Sequence, residues 1–226
     1  MDGEFLFLAL TDRAEHVSEE EYVDWYRGVH IPDTIKSVGW TSGQMYRRSR
    51  VQPAGEKPPW EFLVAYTVTG PETTILERVD AAAPSGPLSV PDRLMWKTGY
   101  RLWTYRKSGG RPFDLDSEHA LLAFADSSSR QDDQSSCADG KDGVPEALAG
   151  FGRRDAMRYE LAGRVAQRPG HEPYPERMTW YAIDKDEQNI LRPFAEEGSD
   201  RSAMRCSWSP GCASWAYTRI GERIFA

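Results

Sequence analysis

The residues best suited to chemistry lie together on one predicted helix in the first quarter of the chain. Tyr22, Tyr26 and His30 are spaced four residues apart, so an α-helix presents them along one side. An imidazole acts as a general base near neutral pH, and a phenol donates a hydrogen bond to a developing oxyanion. These residue types are suited to general acid–base chemistry. The alternative is an aromatic core stripe with a buried histidine that has no chemical role.

Two further features of this helix concern the histidine. Trp25 and Asp33 flank the aromatic side, and Asp33 is close enough in sequence to orient the imidazole of His30. Pro32 has no N–H to donate to the carbonyl of Gly28, so the turn around His30 should be kinked or opened. An open turn would bring the imidazole to the mouth of a pocket.

Other aromatic residues are weaker candidates for the same site. Tyr46 and Tyr66 fall on predicted strands, and either phenol could lie beneath the helix and join His30 and Tyr26 in catalysis. The predicted substrate-binding residues are Tyr22, Trp25, Asp33, Met45, Trp96 and Trp103. Ordinary core packing explains each of these side chains equally well.

Composition excludes several classes of function. The 226-residue chain has a net charge of −7 and no basic stripe, which argues against nucleic-acid binding. No apolar run reaches membrane-spanning length and no signal peptide is recognisable, so we expect a cytoplasmic protein without a membrane partner. The histidines and cysteines lack metal-ligand spacing, and no glycine-rich phosphate loop is present. We therefore expect neither a metal nor another cofactor.

The elements that must position these residues follow a βαββαβ order. A helix should begin after Ser18, where Glu21 completes a capping box, and should end at Gly39. Such a unit forms a four-stranded antiparallel sheet with its helices on one face. The predicted elements of the first half are strands Phe5–Thr11, Gln44–Val51, Phe62–Thr69 and Tyr100–Lys107 and helices over 18–38 and 72–79.

The second half of the chain repeats the first. Residues 31–46 align with 144–159 at an offset of 113, matching proline, glycine and tyrosine positions. WTYRKSGGRPF, from Trp103, matches WAYTRIGERIF, from Trp215, at an offset of 112. The predicted units are 1–113, which bears the site, and 114–226, which is degenerate; coincidental proline and glycine spacing is the alternative.

The second copy lacks the aromatic face. Gly143 replaces His30 and Asp139 replaces Tyr26 at the matching positions, and residues 127–142 are polar and predicted to form a mobile loop. The first copy would thus keep a site and the second would act as a scaffold, unless the helix has merely decayed. The predicted elements here are strands 120–125, 157–166, 178–184 and 213–219 and helices near 145–150 and 186–197.

The stretch EEYVDWYRGVHIPDTIKSVGWTSGQMYR resembles the dimeric α/β-barrel superfamily, especially its EthD-like members. In these proteins a pattern close to D-W-Y-x-x-x-H-x-P-(D/E) lies on the first helix. The resemblance covers residues 5–106, and the second half is assigned through the repeat. It implies an α+β fold in which tandem ferredoxin-like βαββαβ repeats form an intramolecular dimeric α/β barrel.

The resemblance also implies a class of activity. Relatives include cofactor-independent cyclases, decarboxylases and isomerases, so we expect a lyase or cyclase that acts on a small apolar or aromatic, polyketide-like carbonyl compound in secondary metabolism. The alternatives are a cofactor-free monooxygenase, a haem-dependent relative with His30 or His171 as axial ligand, and a non-catalytic binding protein. A chain that carries both halves could be a monomer, although a homodimer stays open.

Overall fold

The computed structural model describes residues 2–52, 58, 60–82, 100–110, 115–125, 156–162, 176–183 and 213–226. Within these ranges lie eight strands: β1 (Asp2–Thr11), β2 (Ser42–Arg48), β3 (Phe62–Pro71), β4 (Tyr100–Gly110), β5 (His119–Ala125), β6 (Ala156–Leu161), β7 (Arg177–Ile183) and β8 (Ala213–Phe225). The helical elements in the same ranges are α1 (Glu19–Trp25), a π-helical turn (Tyr26–His30), α2 (Ile31–Val38) and α3 (Glu72–Ala82).

The described strands close into an antiparallel barrel in the order β1-β3-β2-β8-β5-β7-β6-β4. In the first half the order across the sheet is β4-β1-β3-β2, and in the second half it is β8-β5-β7-β6, which is the same order. The two four-stranded sheets join where β2 pairs with β8 and where β4 pairs with β6. Each sheet therefore has no free edge in the barrel.

The elements predicted from the sequence are confirmed where the structure describes them. Every predicted strand is present, and the main differences are one to six residues at strand ends, the largest being the extension of β8 to Phe225. The predicted helices near 145–150 and 186–197, and the predicted loop 127–142, lie outside the described residues. Among the described helices, none is long and apolar enough to cross a membrane.

The barrel interior is a single buried cluster to which all eight strands contribute. Alternate residues of each strand face inward, because successive side chains of a strand point to opposite faces. The inward-facing side chains from the strands are Leu6, Leu8, Leu10, Tyr46, Leu63, Ala65, Trp103, Tyr105, Ala120, Leu122, Phe124, Met157, Tyr159, Met178, Trp180, Trp215 and Tyr217.

A second cluster fills the layer between the first helix and the outer face of the first sheet. We call it the helix–sheet layer. It holds the helix residues Tyr22, Tyr26, Ile31, Ile35 and Val38 against side chains of β1, β2 and β3, together with Trp40 and α3. The candidate site lies in this layer, outside the barrel.

Both ends of the first helical segment are fixed by local signals. The Ser18 hydroxyl accepts a hydrogen bond from the Glu21 N–H at 3.1 Å, as the capping box predicts. At the other end Gly39 has φ 79°, and its N–H donates to the carbonyl of Ile35. A left-handed glycine ends the helix without the steric cost that a side chain would add.

Candidate active site

The turn that carries His30 is wider than an α-helical turn. Residues Tyr26–His30 form a π-helical turn, in which the N–H of Ile31 donates to the carbonyl of Tyr26 five residues earlier. The cause is local, since Pro32 removes the donor that would bond to Gly28 in a regular helix. Single π-turns inside helices are rare, and those that occur are often found at functional sites. The opened turn expected from the sequence is present at the expected place.

The aromatic face of the helix is a continuous stack around the imidazole. The ring of His30 lies 4.9 Å from that of Trp25 in a stacked arrangement and 4.6 Å from that of Tyr26, edge to face. Tyr26 in turn lies 5.2 Å from Tyr22. The i, i+4, i+8 spacing thus brings Tyr22, Tyr26 and His30 together, with Trp25 covering one face of the imidazole.

Burial keeps the imidazole neutral. The side chain of His30 is 8% exposed, and the loss of hydration lowers its pKa to about 4. The exposed carboxylate of Asp33 opposes this fall without reversing it. At neutral pH the ring is therefore unprotonated, and one nitrogen is available as a hydrogen-bond acceptor or base.

The phenols beneath the helix stay protonated. Burial raises the pKa of both Tyr26 and Tyr66 well above the ordinary value of a tyrosine. The hydroxyl of Tyr22 donates to Thr11 Oγ1 at 3.0 Å, and the hydroxyl of Tyr26 shares this small polar group. Tyr66 lies on β3 close enough for Tyr26 to perturb it electrostatically. Tyr26 and Tyr66 therefore keep the proton that a hydrogen-bond donor needs.

The structure separates two candidates from the rest. Tyr46 and Trp103 point into the barrel, on the opposite face of the sheet from His30. The Tyr46 hydroxyl donates to the carbonyl of Leu115 at 2.7 Å, and Trp103 packs on other interior rings. Met45, one residue before Tyr46, does lie in the helix–sheet layer. Trp96 lies outside the described residues.

Several residues that complete the helix–sheet layer were not predicted from the sequence. Trp40 stacks on Phe7 at 5.3 Å, and Thr34 lies near Tyr66. A Cβ at Gly43 would lie 2.8 Å from Ile31 Cγ2 and 3.0 Å from the Tyr66 ring, so this glycine allows the helix and Tyr66 to meet. A glycine within a strand is the one sequence signal for such a close approach.

The last strand of the chain, β8, also contacts the π-helical turn. The guanidinium of Arg27 donates to the carbonyl of Glu222 at 3.1 Å and lies directly over Gly221, which has φ 60°. A side chain at Gly221 would collide with Arg27. The amide of Gln44 bonds to the carbonyls of Ile220 and Gly221 at 3.1 and 3.3 Å, which supports the irregular pairing of β2 and β8 there. The last strand, from the second half of the chain, therefore contacts the turn that carries His30.

Comparison with known proteins identifies the fold. No protein-family model matches the sequence, and no curated protein matches it. A mutant chlorite dismutase from Candidatus Nitrospira defluvii matches with a TM-score of 0.51 at 9% identity, over 98% of this chain and 93% of that one.

A putative monooxygenase from Fusobacterium nucleatum subsp. nucleatum ATCC 25586 also matches with a TM-score of 0.51, at 7% identity, over 99% of this chain and 94% of that one. At such low identity the similarity concerns the fold. The chain has the ferredoxin-like, dimeric α/β-barrel fold.

Proposed function

We propose that this chain is a cofactor-independent enzyme that abstracts a proton from a small, largely apolar carbonyl compound. The observation that carries the proposal is the neutral imidazole of His30, held by two aromatic rings at a π-helical turn. With a pKa lowered to about 4, this imidazole is in its basic form throughout the physiological range. General-base catalysis requires that form.

The proposed step moves one proton. The imidazole nitrogen of His30 takes a proton alpha to the carbonyl, so a C–H bond breaks, an N–H bond forms, and the electron pair moves to the oxygen as an enolate. A protonated phenol, Tyr66 or Tyr26, stabilises that oxygen by donating a hydrogen bond. The negative charges of the enolate and of Asp33 both stabilise the imidazolium that forms on His30. This stabilisation offsets the low basicity of the buried ring.

The finer reaction class rests on the resemblance of the helix motif to EthD-like proteins. An enolate formed in this way leads to aldol cyclisation, dehydration or decarboxylation of a polyketide-like substrate, and a lyase or cyclase of secondary metabolism is the activity that we favour. Isomerisation uses the same first step. A non-catalytic binding protein would bind such a compound without turnover.

A cofactor-free monooxygenase is the second candidate, because the fold is shared with a putative monooxygenase. Oxygen uptake distinguishes the two. A quinol-like substrate consumed with one equivalent of oxygen would favour the monooxygenase, and turnover of a β-diketone under nitrogen would favour the lyase or cyclase.

A haem at His30 is not part of this proposal. One face of the imidazole stacks on Trp25, and the ring meets Tyr26 edge to face at 4.6 Å. We derive no step through haem. His171 lies outside the described residues. A Soret band in the purified protein would contradict the cofactor-free proposal.

The gene arrangement that we infer is a tandem duplication. It is supported by the identical strand order of the two halves and by matching residues on matching faces. Tyr46 and Tyr159 both face the barrel interior, as do Trp103 and Trp215. We propose that units 1–113 and 114–226 descend from one sequence, and that the first unit bears the site.

Histidine variants test the proposed mechanism. Once a substrate is found, His30→Ala should lower kcat by about a hundredfold to ten-thousandfold, the usual loss for a general base. His119→Ala is the matched control, since His119 is also buried but bonds Thr218 at 3.2 Å on a strand of the second half. It should keep turnover and cost some stability. Near-normal turnover by folded His30→Ala would refute the assignment.

A further inference from the structure

Two irregular segments of backbone meet where the first helical segment lies against β8. One is the π-helical turn Tyr26–His30. The other is a β-bulge in β8, where residues 221–223 fall outside the ladder with β2. A bulge leaves backbone groups that the ladder would otherwise pair, and such groups need other partners. The partners that these groups find therefore indicate what holds the bulge and the turn together.

Two side chains bond to the carbonyls of the bulge. The amide of Gln44 donates to the carbonyls of Ile220 and Gly221 at 3.1 and 3.3 Å. The guanidinium of Arg27 donates to the carbonyl of Glu222 at 3.1 Å. Gln44 belongs to β2, beside the bulge, whereas Arg27 reaches the bulge from the π-helical turn, 195 residues away in sequence. Arg27 thus joins this turn to the second half of the chain.

Gly221 lets the guanidinium approach the backbone of β8 closely. Its φ of 60° lies in the left-handed region that favours glycine, and the guanidinium of Arg27 occupies the space that a Cβ would need. Gly109 on β4 is the matching residue of the first half, at an offset of 112. The pairing of β4 with β6 is also irregular beside Gly109, yet a Cβ placed there meets nothing within 4 Å among the described residues. Of these two matching glycines, Gly221 is the one that an arginine covers.

We propose that Arg27 is a positioning residue, which fixes the π-helical turn on the bulge of β8 and thereby sets the place of the His30 imidazole. The inference rests on the proposed function, because it names what holds the proposed base. Arg27 and His30 belong to the same turn of five residues. Since Pro32 already denies this turn one α-helical hydrogen bond, a contact from outside the helix contributes more to its geometry.

The ionisation of His30 reports on this contact without any substrate. Burial is the main cause of the low pKa of His30, and the charged group that opposes it is Asp33 of the same helical segment. The phenol of Tyr26 contacts the ring and stays protonated. If the turn is released from β8, water reaches the imidazole more easily and its pKa rises towards the ordinary value. A loss of global stability alone would leave the pKa in the folded protein unchanged.

Two variants break the contact from opposite sides. Arg27→Met removes the guanidinium, whereas Gly221→Ala keeps the charge and displaces the guanidinium with a methyl group. In both variants, NMR titration of the ring should show the pKa of His30 raised from about 4 to about 5 or higher. The N–H of Ile31, which closes the π-helical turn, should exchange with solvent at least about tenfold faster.

Matched controls remove an arginine and a glycine elsewhere. Arg47→Met breaks the ion pair of Arg47 with Glu19, 2.7 Å long, which ties the start of α1 to β2. Gly109→Ala changes the matching glycine of the repeat. Both controls should leave the pKa of His30 and the exchange of the Ile31 N–H at their wild-type values. In the double variant of Arg27→Met and Gly221→Ala the two effects should not add, because both act on one contact.

The outcomes separate this inference from the proposed function. An unchanged His30 pKa and unchanged Ile31 exchange in both test variants overturn the positioning role, even if His30→Ala abolishes turnover. A pKa that rises only in Arg27→Met overturns it too, because loss of the charge would then be the cause. Equal changes in either control have the same consequence.

Turnover provides the remaining comparison once a substrate is found. Arg27→Met should lower kcat by about tenfold to a hundredfold, as a displacement of about 1 Å can do, and should change KM less. If both test variants raise the pKa of His30 while His30→Ala keeps full turnover, the positioning role is supported and the catalytic role of His30 is refuted.

Discussion

Acidification should destabilise the protein through His30. In the folded state burial lowers the pKa of this imidazole to about 4, whereas an unfolded chain has the ordinary value near 6.5. Between these values the unfolded chain binds more protons than the folded one, so the free energy of unfolding rises with pH. The contribution of His30 is complete above pH 6.5 and is lost as the pH falls towards 4.

The size of the effect follows from the two pKa values. Each pKa unit corresponds to about 1.4 kcal/mol, so the contribution lost by pH 4 is about 3 kcal/mol. For a chain of this length 1 kcal/mol shifts the melting temperature by about 2–4 °C. His30 should therefore account for a fall of roughly 6–12 °C in melting temperature across this range.

Thermal melting at several pH values, with a matched variant, tests the reasoning. His30→Phe keeps an aromatic ring against Trp25 and Tyr26 but does not titrate, so its stability should change less between pH 7 and 4.5 than that of the wild type. Identical pH dependence in the wild type and His30→Phe would refute the buried, neutral imidazole.

Three further results are expected. Gly43→Ala should lower the free energy of unfolding by about 1–3 kcal/mol, since the new methyl group would crowd Ile31 and Tyr66. In Gly28→Ala the new methyl group meets nothing within 4 Å, so this variant should be neutral or stabilised by up to about 1 kcal/mol. Urea unfolding of both variants checks the difference. Ser18→Ala should cost about 1 kcal/mol through loss of the helix cap, again by urea unfolding. Residues 1–113 expressed alone should dimerise or precipitate, because β2 and β4 lose their partners; a monomer with a well-dispersed NMR spectrum would contradict this.

Local sequence signals determined the first helix and its irregularity. The capping box, the left-handed glycine and the aromatic spacing each act within one or two turns of backbone, and the structure has the helix between those limits. The π-turn follows from Pro32, because a missing N–H removes one hydrogen bond wherever the helix lies in the fold. The four-residue spacing likewise places Tyr22, Tyr26 and His30 on one side of the helix wherever the helix lies in the fold.

The strand order was also accessible from the sequence, through the repeat. An offset of about 113 residues predicts that both halves have the same topology, and the order of strands in the barrel is the same in each half. The closure of the two sheets into one barrel depends on the pairing of β2 with β8 and β4 with β6. Those pairings join residues from 47 to 183 positions apart.

Tertiary structure alone decided which strand residues share the layer with His30. Alternation places Met45 and Tyr46 on opposite faces, but it does not say which face the helix covers, and the sequence grouped both with the site. The surroundings of Phe7 have the same origin. Tyr66, Thr104 and Trp40 meet around Phe7 because three strands and a helix end pack there, and no spacing along the chain encodes that meeting.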